Sequence, residues 1–444
     1  MKASQRNRYI TKTNCERVGS WFVFLFFFTA FCVNISGDFM NLSNPQIGYH
    51  NWEISEWLIN YEGGFVRRGL LGQILFAFEQ VRLYDVRVVI RLVYALSSFA
   101  ILFALLRVFK KEGWSPILLF TGLCVGYTLF NPWGRKDFVI LLLAFAIFLC
   151  YRSAVTRPDK RMASWGLLYV LSTLQLLIHE ASFFFTFPIL MLCSYFYSRA
   201  DNLSRSRSAV QSLVHFLPVL VVMAMVSLFK GDKDVADAIW ASWHKVFAAY
   251  PAPDGPSPVG ASVQALGWES VRTFGRHLYY GYYGSVTPSF RGVFLAVFVM
   301  ISTYYLLTRI DCVDMFKSRT KDLNHNLLSN IALIQFVSLI PMFTVLSCDW
   351  GRTLPYWVIS TIFFYYVFKR EVIPFPSVIT RTSQTIQGFI SGNKLLRSPC
   401  FYLLLVLLTP VPNYFAPLDH INTIQQRHYE FILDLINQIA TLFS

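Results

Sequence analysis

Apolar runs close to the length of a membrane-crossing helix recur along the whole chain, parted by short clusters of Lys and Arg. A helix needs roughly 20 such residues to span a bilayer, and a soluble fold of 444 residues has too little interior to bury so many of them. The runs lie at 19–36, 88–108, 114–131, 137–152, 163–179, 182–198, 209–229, 291–309, 328–347, 354–369 and 399–416. They predict an all-α, polytopic integral membrane protein with about eleven transmembrane helices. The pair at 163–198 reads equally as one long broken helix. The first run, Trp21 to Ile35, follows a basic arm and has no small-residue cleavage site after it, so it reads as a retained span.

Charge sets the orientation. The net charge of +14 invites nucleic acid as a partner. Only 14% of residues are charged, however, against about 25% in ordinary globular domains, and the basic ones form no basic domain. They fall between the apolar runs, as the positive-inside rule requires, which excludes nucleic acid. With the N-terminus cytoplasmic, the inner segments take the clusters at 2–17, 107–111, 152–161, 199–207, 309–321 and 369–397, well over half of the Lys and Arg. The C-terminus then lies outside. The eight cysteines sit mostly inside apolar runs (Cys32, Cys124, Cys150, Cys193, Cys400) without a CxxC pair, so neither a disulfide framework nor a zinc site is expected. The expected division is an N-terminal bundle at 1–229, an extracytoplasmic loop at 230–290, C-terminal spans at 291–416 and an outer interfacial tail helix at 417–444. In that tail Phe431, Ile432, Leu435, Ile439 and Leu442 share a face. The stretch 370–398 reads as a cytoplasmic loop of weak amphipathic character.

On this topology the unusual polar residues fall on the outer side. The first outer segment holds Asp38 and then Glu62-Gly63-Gly64-Phe65-Val66-Arg67-Arg68-Gly69, followed by an apolar run, Leu70 to Val81, suited to the outer interface. The next outer turn carries Arg135-Lys136-Asp137, the third His179-Glu180, and the last Asp349-Trp350-Gly351-Arg352. Arg and Asp at membrane boundaries often do no more than anchor helices by snorkelling. Arg67-Arg68 breaks the positive-inside trend and follows a Gly-Gly turn that would let backbone N–H groups approach an anion. His179-Glu180 interrupts an otherwise apolar stretch, where ionisable groups are costly and mark sites. Asp349 and Arg352 have the i,i+3 spacing of a helical pair.

These residue types suit one chemistry. The guanidinium fork matches phosphate oxygens bidentately, so Arg67, Arg68, Arg135, Lys136 and Arg352 are candidates to hold a diphosphate. A carboxylate or imidazole beside them would deprotonate an acceptor hydroxyl, from Glu62, Asp137, His179, Glu180 or Asp349. Tyr279, Tyr280, Tyr282 and Tyr283, with Trp240, Trp243 and Trp268, offer flat faces for sugars, Tyr280 and Tyr283 above all. An aromatic belt at headgroup level explains them equally well. The combination is that of glycosyl transfer from a polyprenyl-(di)phosphate donor to a glycan acceptor, with lipid among the helices.

From Asn131 to Leu192 the pattern resembles the EpsG/Wzy-like polysaccharide polymerases. In these an outer Asn/Arg turn opens an apolar helix, a basic inner loop follows, and a further helix ends in a His with Ser or Ala close behind. Here the turn is Asn131-Pro132-Trp133-Gly134-Arg135-Lys136-Asp137, and the second motif is Ile178-His179-Glu180-Ala181-Ser182 before Phe183 to Leu192. The resemblance implicates Arg135 and His179. The chain departs from the pattern at Lys136-Asp137, where the family more often has Gln and small residues, and at Glu180, usually a neutral position. What the resemblance implies is a metal-independent, cofactor-free enzyme of a bacterial inner membrane. It would polymerise undecaprenyl-diphosphate-linked repeat units of O-antigen, capsule or exopolysaccharide on the periplasmic face. Related enzymes of GT-C-like architecture use a polyprenyl-monophosphate sugar and favour an acidic residue in the first outer loop, a place Asp38 or Glu62 would fill. A transporter would carry its polar site near the midplane, often in repeated halves, and the chain shows neither feature.

Overall fold

The computed structural model of the chain describes residues 51–81, 84–112, 135–249, 259–268, 300–308, 326–346 and 350–396, with isolated positions elsewhere, Tyr49 among them. The described residues are helical apart from turns and one two-residue antiparallel pairing, Pro410–Val411 with Asn422–Thr423. A short α1 (Trp52–Trp57) and an amphipathic α2 (Leu70–Val81) precede the bundle. The bundle is built from α3 (Val86–Glu112), α4 (Asp137–Thr156), α5 (Arg161–Ile178), α6 (Ser182–Ala200), α7 (Arg205–Leu228), α11 (Leu327–Pro341) and α12 (Trp350–Phe368). Between them come α8 (Lys233–Ser242), α9 (His244–Ala249) and α10 (Ala261–Gln264), and α13 (Ser377–Gly392) follows.

Among the described residues, five stretches are long and apolar enough to cross a membrane: Val86–Glu112, Asp137–Thr156, Pro158–Ile178, Arg205–Leu228 and Leu327–Thr344. The expected total of about eleven is not reached among the described residues. The runs at 19–36, 114–131 and 399–416, and most of 291–309, fall outside them. On α7 the exposed side chains Val210, Leu213, Val214, Leu217, Val221 and Met225 repeat at three and four residues, a continuous apolar stripe of the kind that faces lipid.

The segment 163–198 forms two helices. At His179 the backbone leaves the helical region (φ −163°, ψ 116°), which ends α5. The chain re-enters a helix at Ser182, whose hydroxyl donates to the His179 carbonyl at 2.7 Å. Proline alone does not stop a helix here: α6 and α7 run on through Pro188 and Pro218.

Contacts between helix ends define the two ends of the bundle. One end of the bundle gathers the starts of α4 and α12, where Arg352 meets Asp137, and the α5–α6 break. The opposite end gathers the finish of α3 and α12 through Glu112 and Lys369, and ties Arg152 to Glu371 at 2.9 Å. A large apolar core runs through the bundle. A second core joins two parts distant in sequence, 49–90 and 235–266. It is fastened by Asn60 donating to Ser242 at 2.8 Å, Trp243 Nε1 to the Leu58 carbonyl at 2.8 Å, and the Arg67 N–H to the Phe229 carbonyl at 2.9 Å. Two glycines make that fit possible. A Cβ on Gly63 would stand 2.6 Å from the Val235 carbonyl oxygen, and one on Gly72 1.9 Å from that of Ile59.

The expected loop at 370–398 contains a 16-residue helix, α13, opened by Pro376 at its N-cap. Ser383 and Ile390 are buried on one side, while Val378 and Phe389 stand exposed on the other. Polar residues break its apolar stripe, which makes the helix hard to read without the fold.

Candidate functional site

The turn after α1 carries Arg67 and Arg68. Arg68 takes a left-handed backbone (φ 66°), a conformation costing a non-glycine residue of order 1 kcal/mol or more and concentrated at functional sites. It turns the Arg68 carbonyl toward Lys136, whose Nζ donates to it at 3.0 Å. The same turn carries the guanidinium to Glu180. Arg68 Nε and Nη2 grip Glu180 Oε2 and Oε1 at 2.8 and 2.6 Å, and Arg67 Nη1 adds a third donor at 3.3 Å. The Gly-Gly turn serves chiefly the contact of Gly63 with α8, and the Gly64 N–H is taken by the Tyr61 carbonyl at 3.0 Å.

Beneath this pair lies a buried layer. The α5–α6 break holds His179, and the N–H of Ala181 donates to its Nδ1 at 3.2 Å. That bond makes Nδ1 the acceptor, so in the neutral ring the proton sits on Nε2. Nε2 faces Glu56 Oε1 at 3.4 Å, too poorly aligned for a hydrogen bond. Burial and the charge of Arg68 push the His179 pKa below its usual value, against the pull of Glu180 and Glu56, so the ring is neutral at physiological pH. Burial opposes ionisation of Glu56. The imidazole of His179 and the charges of Arg352 and Arg135 outweigh it and hold the carboxyl well below the usual carboxylate range. Glu180 is likewise held ionised against burial, by Arg68 and Arg67. Lys136 is fully buried; burial drives its pKa down to about 8, with Glu56 pulling the other way. Its ammonium also lies 5.9 Å from the centre of the Trp57 ring.

The floor is formed where α4 and α12 begin. Asp137 accepts from Arg352 Nε at 2.8 Å and Nη2 at 2.5 Å, and from the Tyr356 hydroxyl at 2.5 Å. Arg135 stands 3.8 Å from Glu53. The site opens at Arg67 and Arg68, 31% and 25% exposed, and deepens to Glu56 at 1%.

Of the residues singled out from sequence, Arg67, Arg68, Arg135, Lys136, Asp137, His179, Glu180 and Arg352 therefore meet in one cluster. Glu62 does not join it: its side chain is exposed and accepts from Gln73 at 3.5 Å. Asp38, Asp349, Tyr280, Tyr283 and the tail 424–444 lie outside the described residues. Arg352 takes Asp137 as its ion-pair partner, a pairing its i,i+3 spacing to Asp349 did not suggest. Trp240 and Trp243 are buried in the second core, and Trp268 packs 5.9 Å from Trp52, so these rings serve packing and Trp240 and Trp243 present no face to a sugar. Sequence reasoning missed Glu53 and Glu56. Their signal was present in Trp52-Glu53-Ile54-Ser55-Glu56-Trp57, two carboxylates at i,i+3 between tryptophans.

Among the four carboxylates, Glu180 and Asp137 are saturated by guanidinium donors, and Glu53 faces Arg135. Among the described residues, neither buried oxygen of Glu56 has a well-formed hydrogen bond, His179 Nε2 standing off at 3.4 Å from Oε1. Buried polar atoms are almost always satisfied, so lone pairs left open at the bottom of a charged cleft mark the place where a ligand's hydroxyl would fit. No family model, no curated protein and no solved structure matches the chain.

Proposed function

We propose that this chain is an integral membrane glycosyltransferase. It would extend glycans carried on undecaprenyl diphosphate at the outer leaflet of a bacterial inner membrane, as the EpsG/Wzy-like polymerases of surface polysaccharide do. One observation carries this reading. Arg67, Arg68, Arg135, Lys136 and Arg352 gather with Glu56 and a neutral His179 in one cleft at the end of an apolar helical bundle. Pairing within the cluster offsets the charge of Glu56 but leaves its oxygens without a well-formed hydrogen bond among the described residues, which a bound hydroxyl would supply.

In this mechanism Arg67 and Arg68 at the mouth receive the diphosphate and stabilise the charge that develops on it as it leaves. Glu56 accepts the proton of the acceptor hydroxyl as the new glycosidic bond forms, and the His179 ring positions Glu56 from the side. Held well ionised, Glu56 is a weak base in the resting site; it takes the proton only as bond formation makes the hydroxyl acidic. Asp137, saturated by Arg352 and Tyr356, has a positioning role.

The single-sugar transferase with a polyprenyl-monophosphate donor is the second reading. Glu53 and Glu56 favour it, because they place carboxylates in the segment between the first apolar run and α3, where such enzymes carry their acid.

The test is reconstitution with an undecaprenyl-diphosphate oligosaccharide. The wild-type chain should form new glycosidic bonds and release undecaprenyl diphosphate, and Arg67→Ala and Arg135→Ala should lose long products at unchanged protein level. Long products from both variants would sink the polymerase reading. Transfer from a monophosphate donor alone would establish the second.

A further inference from the structure

The Arg67–Arg68 clamp is already full. Glu180 projects from the three-residue break between α5 and α6 and sets both carboxylate oxygens against Arg68, one of them shared with Arg67. Oxygens at 2.6 to 2.8 Å from a guanidinium fork are where the non-bridging oxygens of a phosphate would lie. The carboxylate is nonetheless an incomplete ligand. Arg67 Nε is buried without a hydrogen-bond partner, and a planar carboxylate has no third oxygen to offer it. A tetrahedral phosphate does. The left-handed backbone at Arg68 carries its fork to this spot at a conformational cost.

We propose that Glu180 is a built-in occupant of the anion site. A phosphate or diphosphate group binds by displacing its carboxylate from Arg67 and Arg68, and the vacated clamp then also engages Arg67 Nε. This inference rests on the diphosphate assignment above and adds to it the resting state of the site. The held carboxylate neutralises two partly buried cations until substrate arrives, and it screens the clamp against singly charged anions. It also lowers apparent affinity, since only the fraction of molecules with the clamp open can bind.

The experiment measures inorganic pyrophosphate binding to the purified full-length chain in detergent by calorimetry, with acetate as the monoanion control. Glu180→Gln removes the competing charge at nearly constant size and should bind pyrophosphate on the order of tenfold more tightly than wild type. Glu180→Asp keeps the charge but shortens the reach by one methylene. It should give a smaller gain, and it serves where Glu180→Gln fails to fold. Arg68→Gln should abolish binding in either background. Equal or weaker pyrophosphate binding by both Glu180 variants overturns the proposal, as does no binding by any of these proteins. A gain in Glu180→Gln without glycosyl transfer by wild type would remove the transferase reading and leave the occupied anion site standing. Transfer by wild type without that gain would do the reverse.

Discussion

Replacing Glu56 with Gln keeps the size of the side chain and removes its basicity, so transfer should slow by about 10²- to 10⁴-fold, the usual contribution of a positioned acid or base. Donor KM should stay near the wild-type value, because Arg67 and Arg68 are untouched; initial rates at several donor concentrations separate the two effects. Lys136 gives the site its pH dependence. With its pKa pushed down to about 8, the ammonium is charged below that pH and loses its proton above it. Anion affinity in wild type should therefore fall as pH rises through about 8, relative to Lys136→Met, in which that step is missing. Parallel titration curves for the two proteins would contradict the assignment. The arginine pair was legible in sequence because it defies the positive-inside trend, and His179 because it breaks an apolar run. Glu56 was not. Its spacing to Glu53 between two tryptophans is a weak local signal, and its meaning comes from His179, brought beside it only by the fold.

Between elements, the Asp137–Arg352 pair fastens the start of α4 to the start of α12. Removing one partner of a buried ion pair typically costs 3–5 kcal/mol, roughly, because the other is left uncompensated. Arg352→Leu should lower the thermal midpoint in detergent accordingly, and adding Asp137→Leu should restore most of it. A double variant no more stable than the single one would mean that the pair is not where the loss arises. The spanning helices were legible because a long apolar run has few alternatives to a helix in lipid. The break at His179 was legible only as an ambiguity, since both a kink and two helices fit the same run. Helix α13 stayed hidden because its buried face alternates with Ser, Thr and Gln. The tryptophans of α8 and the turn after it looked like sugar platforms because composition cannot tell a buried ring from a displayed one. Their burial depends on a partner, 49–90, far away in the chain.

At the scale of the molecule, the bundle sets the clustered charges at one end and the Glu112–Lys369 and Arg152–Glu371 pairs at the other. In the proposed orientation the latter end faces the cytoplasm. In a cysteine-free background, Asp237→Cys should react with a membrane-impermeant maleimide added to spheroplasts, while Lys160→Cys should react only after lysis; both positions are exposed. The reverse pattern would turn the protein over and move the cleft to the other leaflet. The cleft also bears on how the chain is made. Arg68 and Glu180 are 112 residues apart, and Asp137 and Arg352 are 215. At roughly 5–20 residues per second of synthesis, Arg68 waits on the order of ten seconds for its partner, and Asp137 about twice as long. During that interval Arg68 and Asp137 lack the partners that grip them in the finished fold, and only nearer charges such as Glu56 and Arg135 can offset them. The order of membrane insertion, and not only the finished fold, is thus written into which residues pair.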